Sequence, residues 1–212
     1  MKFIVKVCAC VVLLMNGSAY AAMAYLGGGV GGAAALDAGS NIKGIQAGLA
    51  SIGGPSVLSY DKTSHALAIT AGIGFNAYVA AEFSYTYLGT YKLSAVASSG
   101  LTQASRYETD KVDAISLAAI GGYPIYHKIK LLGKLGLANT SLERACTISG
   151  GLCVSETHSG VNLMYGAGIA MRPVRALEIR VDYTLYSDVG DKNSDFTAGN
   201  FGLVETSVFY HF

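Results

Sequence analysis

The chain lacks tryptophan, holds only 3 prolines in 212 residues, and carries a charge on only 14% of its positions. An ordinary soluble domain is about 25% charged, so the composition favours a membrane protein. Beyond the amino terminus, however, the sequence has no continuous apolar run of about 20 residues, the length that a transmembrane helix needs. A closed β-barrel is the other fold that satisfies every backbone hydrogen bond inside a bilayer, and the composition therefore predicts one.

The chain also lacks an excess of charge of either sign, because 15 basic and 14 acidic residues give a formal net charge of +1. Bulk electrostatic attraction to nucleic acid is therefore not expected. What the chain has in quantity is glycine, with 27 residues, and tyrosine, with 14. Glycine suits the narrow interior of a small barrel, and tyrosine suits the interface between lipid and water.

Residues 1–21 have the three parts of a secretory signal peptide. Two lysines near the start precede an apolar stretch over 7–15, and small residues form an A-x-A pattern that ends at Ala21. We expect cleavage after Ala21 or Ala22, which leaves 22–212 as the mature domain. The apolar stretch is too short to span a membrane comfortably as an uncleaved anchor.

Two cysteines follow the predicted signal peptide, Cys146 and Cys153. In an exported chain a close pair of this kind is most simply a disulfide that closes a short loop. A zinc site needs about four ligands, and the sequence offers no second cysteine pair or neighbouring histidines to complete one. We therefore expect a disulfide and no metal or other cofactor.

The rest of the chain divides into eight segments in which apolar and polar residues alternate with a period of two, the pattern of membrane-barrel strands. In the clearest of them, 177–186, a helical period would mix the apolar and polar sets. The eight segments are about 23–31, 65–75, 77–88, 112–123, 128–138, 160–171, 177–186 and 199–212. Short connections near 76, 124–127 and 172–175 alternate with long ones at about 32–64, 89–111, 139–159 and 187–198. This asymmetry is typical of an outer-membrane barrel with short periplasmic turns and long extracellular loops.

The polar face of these strands decides between a soluble carrier barrel, which is apolar inside, and a membrane barrel, which is apolar outside. That face carries small residues and seven charges, while the other face is apolar with almost no charge, and it would aggregate in water. We therefore predict that the charged side chains point into the lumen: Glu82, Lys130, Lys134, Glu178, Arg180, Asp182 and Glu205.

An eight-stranded barrel encloses just enough room for side chains. Charges confined in such an interior have to pair with one another. We expect a filled lumen that is cross-linked by salt bridges among Glu82, Glu205, Lys134 and Arg180. A narrow pore for small solutes is the alternative.

The stretch AAEFSYTYLG at 80–89 and the ending SVFYHF at 207–212, with the signal peptide and the eight strands, resemble small outer-membrane barrels. The similar groups are the OmpA-type transmembrane domain and the opacity-protein-like surface antigens. The resemblance implies an integral outer-membrane protein of a Gram-negative bacterium. It also implies that the terminal strand is a recognition signal for the barrel assembly machinery, carried here by Val208, Tyr210 and Phe212.

For function, the resemblance implies a non-enzymatic scaffold that displays surface loops for envelope integrity, adhesion or host interaction. We expect a monomer in contact with outer-membrane lipid and lipopolysaccharide, with a host or surface ligand on the loops. A lipid A-modifying enzyme is a weaker alternative, and His158 with Ser159 is the pair that could serve it. Neighbouring residues of a strand point to opposite faces, so these two are poorly placed as base and nucleophile, and we predict no catalytic residue.

Overall fold

The computed structural model describes residues 23–38, 42, 56–99, 102–148, 155–190 and 197–212. The predicted signal peptide and Cys153 lie outside these residues. Nine strands are present in the described ranges: β1 (Met23–Ala35), β2 (Ser56–Tyr60), β3 (Thr63–Gly74), β4 (Val79–Ser99), β5 (Thr102–Tyr126), β6 (Ile129–Ile148), β7 (Glu156–Val174), β8 (Leu177–Val189) and β9 (Gly199–His211). No helix in this part of the chain is long and apolar enough to cross a membrane.

The sheet closes on itself. Its strand order is β2-β4-β3-β1-β9-β8-β7-β6-β5, all pairs are antiparallel, and β4 also pairs with β5. Eight strands form the wall, and the short β2 pairs only with the outer part of β4, over Leu93–Ala97. The predicted eight-stranded antiparallel barrel is therefore confirmed, with each predicted strand present.

The outer and inner faces follow the alternation of the sequence. On β5 the even positions from Glu108 to Ile120 are all buried inside, whereas Leu117 points outward and is 63% exposed. The same alternation gives the whole barrel an exposed apolar belt, which includes Leu26, Val30, Leu67, Ile69, Leu117, Leu135, Leu137, Val161, Ile169, Val181, Val204 and Val208. A closed barrel with an apolar outer belt is suited to lipid as its solvent.

The three short turns lie at one end of the barrel. The β3–β4 turn is capped by Asn76, whose Oδ1 accepts hydrogen bonds of 2.8 Å from the backbone N–H groups of Tyr78 and Val79. This side-chain bond replaces a backbone one and is the reason asparagine suits such a turn. The β5–β6 and β7–β8 turns occupy only 127–128 and 175–176, so this end is the periplasmic one.

The extracellular end departs from the prediction, because the expected loops 89–111 and 139–159 are largely strand. β4 to β7 are 19 to 25 residues long, about twice the 9–11 residues that cross a bilayer. The ladders between β5, β6 and β7 continue without a register shift through these segments, and the β4–β5 ladder continues across a β-bulge after Tyr87, where Gly89 adopts φ +107°. An extra residue in one strand inverts the faces beyond it, and glycine takes this backbone conformation without strain. Tyr91 and Leu93 therefore point inward, and the hairpin continues.

Candidate functional site in the barrel interior

Arg180 on β8 is the centre of the lower, periplasmic half of the lumen. Its Nη1 lies 2.6 Å from Oε1 of Glu82 and its Nη2 lies 2.8 Å from Oε1 of Glu178. The guanidinium carbon also lies 4.3 Å from the ring centroid of Phe209. Tyr25 donates a 2.8 Å hydrogen bond to the same Glu82 oxygen. The alternation that places these side chains inside thus brings four strands together around one buried guanidinium group.

The other predicted interior charges lie around this centre. Lys134 Nζ is 3.8 Å from Oε2 of Glu82, a longer ion pair. Asp182 is buried and faces Glu205 across the β8–β9 ladder. Among the described residues Glu205 makes no ion pair; its Oε1 instead accepts a hydrogen bond from Ser207 Oγ. Lys130 lies at the periplasmic mouth, where Nζ donates to the carbonyl oxygen of Ala77 at 3.0 Å.

Sequence reasoning missed two members of this group, Arg172 and Tyr25, whereas the alternation of 207–212 predicts that His211 faces inward. Arg172, in a segment interpreted as a turn, lies 2.6 Å through its Nε from Oε2 of Glu178. His211 lies beside it, with 3.4 Å between its Nδ1 and Arg172 Nη2. Tyr25 belongs to a glycine-rich strand in which no polar face was identified. The alternating positions of β1 were the signal that could have placed Tyr25 inside beside His211, and the two rings indeed lie 4.9 Å apart.

Above this network an apolar plug fills the lumen. Tyr91 and Phe201 pack edge to face with 5.4 Å between their ring centroids, and the Tyr91 hydroxyl donates to the carbonyl oxygen of Leu88 at 3.0 Å. The plug is formed by the buried side chains of Leu88, Tyr91, Leu93, Val112, Leu142, Val189, Phe201 and Leu203. These side chains form one buried hydrophobic cluster.

A second charged cluster lies at the level of Tyr91 and Leu93, which are the register partners of Asp110 and Glu108 on the neighbouring strand. Glu108 and Asp110 of β5 are fully buried, and Arg144 of β6 lies between them, with Nε 2.7 Å from Oε1 of Glu108 and 3.9 Å from Oδ1 of Asp110. Thr197 donates a 2.7 Å hydrogen bond to Asp110 Oδ2. Arg106 adds a 2.7 Å contact to Glu108 from a partly exposed position. We call Glu108, Asp110, Arg144 and Thr197 the upper cluster.

The upper cluster lies beyond the lipid. On the outer face of β5 the apolar belt ends at Asp113, which accepts a hydrogen bond from Tyr85 and pairs with Lys111 at 3.3 Å. Exposed charges do not belong in the hydrocarbon layer, so the membrane boundary lies at this level. Asp110 is farther out along the strand, inside the extracellular continuation of the barrel.

The upper cluster should make the extracellular hairpins more stable in acid. Burial raises the pKa of Asp110 to about 6 from its ordinary 3.8, although the Thr197 hydrogen bond and Arg144 oppose the shift. The pKa of Asp110 is higher in the folded than in the unfolded state, so the folded state binds the proton more tightly. The stability gained from this is present at pH 4 and is lost as the pH rises through about 6. We expect amide protection in the β4–β5 hairpin, corrected for intrinsic exchange, to be higher at pH 4 than at pH 7.

The substitution Asp110→Asn should remove that pH dependence while keeping an acceptor for Thr197. Asp113→Asn is the matched control, since Asp113 lies on the outer face of the same strand, and it should leave the dependence intact. Equal hairpin protection at the two pH values in the unmodified protein would contradict this account of Asp110.

The remaining predicted residues fall at the extracellular end and on the surface. Cys146, near the end of β6, is disulfide-bonded, while its predicted partner Cys153 lies outside the described residues. His158 and Ser159 are adjacent, exposed positions of β7. As neighbours in a strand they point to opposite faces, an arrangement that does not form a nucleophile and base pair.

Val208, Tyr210 and Phe212 at the carboxyl end all point outward and are exposed. The Tyr210 and Phe212 rings pack edge to face at 5.2 Å, and the Phe212 N–H donates to the carbonyl oxygen of Ala24 at 3.0 Å. The last residues are therefore tied to β1 at the periplasmic end, in an aromatic position where the lipid meets water.

Comparison with known proteins agrees with this architecture. A family model described as the OmpA-like transmembrane domain matches residues 19–212. Outer membrane protein A of Salmonella typhi is 25% identical over 141 residues, which cover 66% of this chain and 38% of that protein. The relative of the same name from Shigella flexneri is 24% identical over 141 residues, which again cover 66% of this chain and 38% of that protein. The matches therefore span less than half the length of these relatives.

Solved structures show the same fold at lower identity. Neisserial surface protein A aligns with a TM-score of 0.56 and 13% identity, covering 89% of this chain and 97% of that one. The outer membrane protein OprG from Pseudomonas aeruginosa aligns with a TM-score of 0.53 and 10% identity, covering 90% and 96%. With a family model that spans nearly the whole chain and a closed barrel with an apolar belt, this chain belongs to the family of OmpA-like transmembrane domains and is a β-barrel of the bacterial outer membrane.

Proposed function

We propose that this protein is a non-enzymatic scaffold that holds surface-exposed hairpins above the outer membrane, for envelope integrity, adhesion or host interaction. The observation that carries the proposal is the difference between the periplasmic and extracellular halves of the barrel. The lower lumen is filled by charged and apolar side chains, whereas β4 to β7 continue well beyond the lipid boundary at Asp113. The additional chain length thus forms extracellular β-hairpins.

The partners follow from the same surfaces. Lipid covers the apolar belt, and lipopolysaccharide surrounds the hairpins where exposed charges such as Lys111 and Glu143 begin. The exposed outward row Val208, Tyr210 and Phe212 supports a role of the last strand as the signal for the barrel assembly machinery. A monomer is sufficient for this design, because the closed sheet has no free edge in the barrel wall.

The surface-display role predicts that shortening one hairpin abolishes contact with a host surface and leaves the barrel intact. Replacing residues 94–107 by Asn-Gly joins Leu93 to Glu108, which already face each other, through a favoured two-residue turn. Cells that display the shortened protein should bind cultured host cells no better than cells without it. The heat-dependent gel shift of the folded barrel should remain.

The matched control replaces the periplasmic turn residues 127–128 by Asn-Gly, which is the same kind of change at the opposite end. This variant should bind as the unmodified protein does. Full binding by the 94–107 variant would refute a role of this hairpin in adhesion, and equal loss in both variants would trace the effect to the barrel and not to the hairpin.

The filled lumen predicts that the purified protein forms no large, stable channel in planar bilayers. The buried rings of Tyr91 and Phe201 pack against each other inside the lumen, and an ion is costly to transfer past such apolar side chains. Replacing both rings by alanine should open the plug and raise the conductance over the unmodified protein. A large, stable conductance from the unmodified protein would favour the pore over the scaffold.

A further inference from the structure

A cavity of about 350 Å³ opens at the periplasmic mouth of the barrel, below the Arg180 centre. Three basic side chains line it, Lys130, Arg172 and Arg180, against a single lining carboxylate, Glu178. The remaining lining is largely apolar or aromatic and includes Tyr25, Ile120 and Leu132. We call this space the periplasmic vestibule. A concave site of a few hundred Å³ with a few convergent polar groups has the dimensions of a small-molecule site.

We propose that the periplasmic vestibule binds a small anion, a phosphate or carboxylate group that carries a short apolar portion. The proposal concerns a site at the end of the barrel opposite the hairpins, so it goes beyond surface display and does not depend on it.

The charge balance at this site has a positive surplus. Arg180 is neutralised by Glu82 and Glu178 together, and Arg172 shares Glu178 with it. The charges of these two arginines and two glutamates cancel, which leaves the positive charge of Lys130 unbalanced in the vestibule. Within the described residues the only hydrogen bond of Lys130 Nζ is to the carbonyl oxygen of Ala77. A lysine at the wall of a partly enclosed cavity, with no carboxylate in ion-pair contact, is a natural partner for an anionic oxygen.

Arg180 and His211 also line the vestibule, and both are almost fully buried, at 3% and 5% exposure. Arg180 Nε and His211 Nε2 have no hydrogen-bond partner in the described part of the chain, but both atoms are shielded from the vestibule. Oε2 of Glu178 lies 3.5 Å from His211 Nε2. An anion in the vestibule would therefore meet Lys130 directly, with Arg180 and His211 beneath the wall.

The groups deeper in the lumen, Asp182, Glu205 and Lys134, carry a net charge of −1, which balances Lys130 over the lower lumen as a whole. They do not line the vestibule, so the positive surplus is local to the mouth. The apolar side chains between these layers, Ile120 and Leu132, are buried and provide a surface for the apolar portion of the ligand.

The test uses the isotope-labelled mature protein folded in glucoside micelles, which contain no phosphate. Inorganic phosphate and hexyl phosphate are titrated separately, and the amide shifts of Lys130 and His211 are followed by NMR. We expect saturable shifts, with tighter binding of hexyl phosphate. Lys130→Gln should weaken binding about tenfold, the effect of losing one charge-assisted hydrogen bond.

Lys128→Gln is the matched control. Lys128 is exposed, donates to the carbonyl oxygen of Pro173 and does not line the vestibule, yet its removal changes the net charge by the same amount at the same end. It should leave the affinity unchanged. Equal weakening by both variants would reduce the effect to general electrostatics and overturn the proposal.

A lipid headgroup is the other source of the same phosphate chemistry. Nanodiscs with and without phosphatidylglycerol separate the two sources, since only a headgroup would shift Lys130 and His211 without a soluble probe. Such shifts, lost in Lys130→Gln, would support the site with a lipid ligand. No saturable shift with either soluble probe or with phosphatidylglycerol, in protein whose gel shift proves it folded, would overturn the proposal.

Discussion

Replacing Arg180 by methionine should lower the free energy of unfolding by about 3–5 kcal/mol, the cost of leaving buried charges without their partner. The substitution keeps most of the side-chain volume but leaves Glu82 and Glu178 facing each other in the lumen without the guanidinium that contacts both. Urea titration of the protein folded in lipid vesicles, read from the heat-dependent gel shift, measures the change.

Two further variants separate charge from packing. Arg175→Met removes an arginine from the exposed β7–β8 turn and should change the stability by no more than about 0.5 kcal/mol. The double variant Glu82→Gln, Arg180→Met removes one buried acid with the base, leaves Glu178 paired with Arg172, and should recover much of the loss. If Arg180→Met costs no more than Arg175→Met, the network does not hold the barrel together.

Replacing Leu117 by arginine should cost about 2–4 kcal/mol, the penalty for a cation on the lipid face at the middle of the membrane. Leu117 points outward about midway along β5 between Asp113 and Tyr123, which lie at the two ends of its apolar belt. The expected readout is a lower urea midpoint of the vesicle-folded protein and a smaller yield of folded barrel.

Tyr107→Arg is the control for depth. Tyr107 has the same outward orientation on the same strand and is 52% exposed, but it lies on the extracellular side of Asp113. A cation there meets water or headgroups and should cost only about 0–1 kcal/mol. Similar costs at the two positions would mean that the belt around Leu117 is not in lipid.

The strand count and the two faces were predictable because a membrane imposes a strict alternation on every crossing. One face must satisfy lipid and the other a narrow lumen, so Glu82 and Arg180 could be placed inside before their contacts were known. Which acid meets which base was not predictable. The contact between Glu82 and Arg180 joins residues 98 positions apart, and it depends on the tilt and stagger of the strands, which a period of two does not encode.

The upper cluster was missed for a different reason. Glu108, Asp110 and Arg144 lie in segments that were interpreted as the long connections 89–111 and 139–159. Yet the even positions of β5 continue unbroken from Ile120 to Glu108, so the alternation was present in the sequence. On β4 it was hidden by the bulge at Gly89, which shifts the inward positions from even to odd. Polarity marks where the lipid ends, and it does not mark where a strand ends.

The seam between β1 and β9 has a consequence for the kinetics of assembly. It joins opposite ends of the described chain, from Tyr25 opposite His211 to Ala35 opposite Phe201, whereas the other ladders of the wall join strands close in sequence. Loop-closure entropy and high contact order therefore make this ladder the slow one. Until it forms, the protein is an open sheet with two unpaired edges. An added Cβ at Gly27 or Gly31 of β1 would overlap the backbone of β9. Because these positions carry no side chain, the two edges can pair without prior rearrangement of side chains.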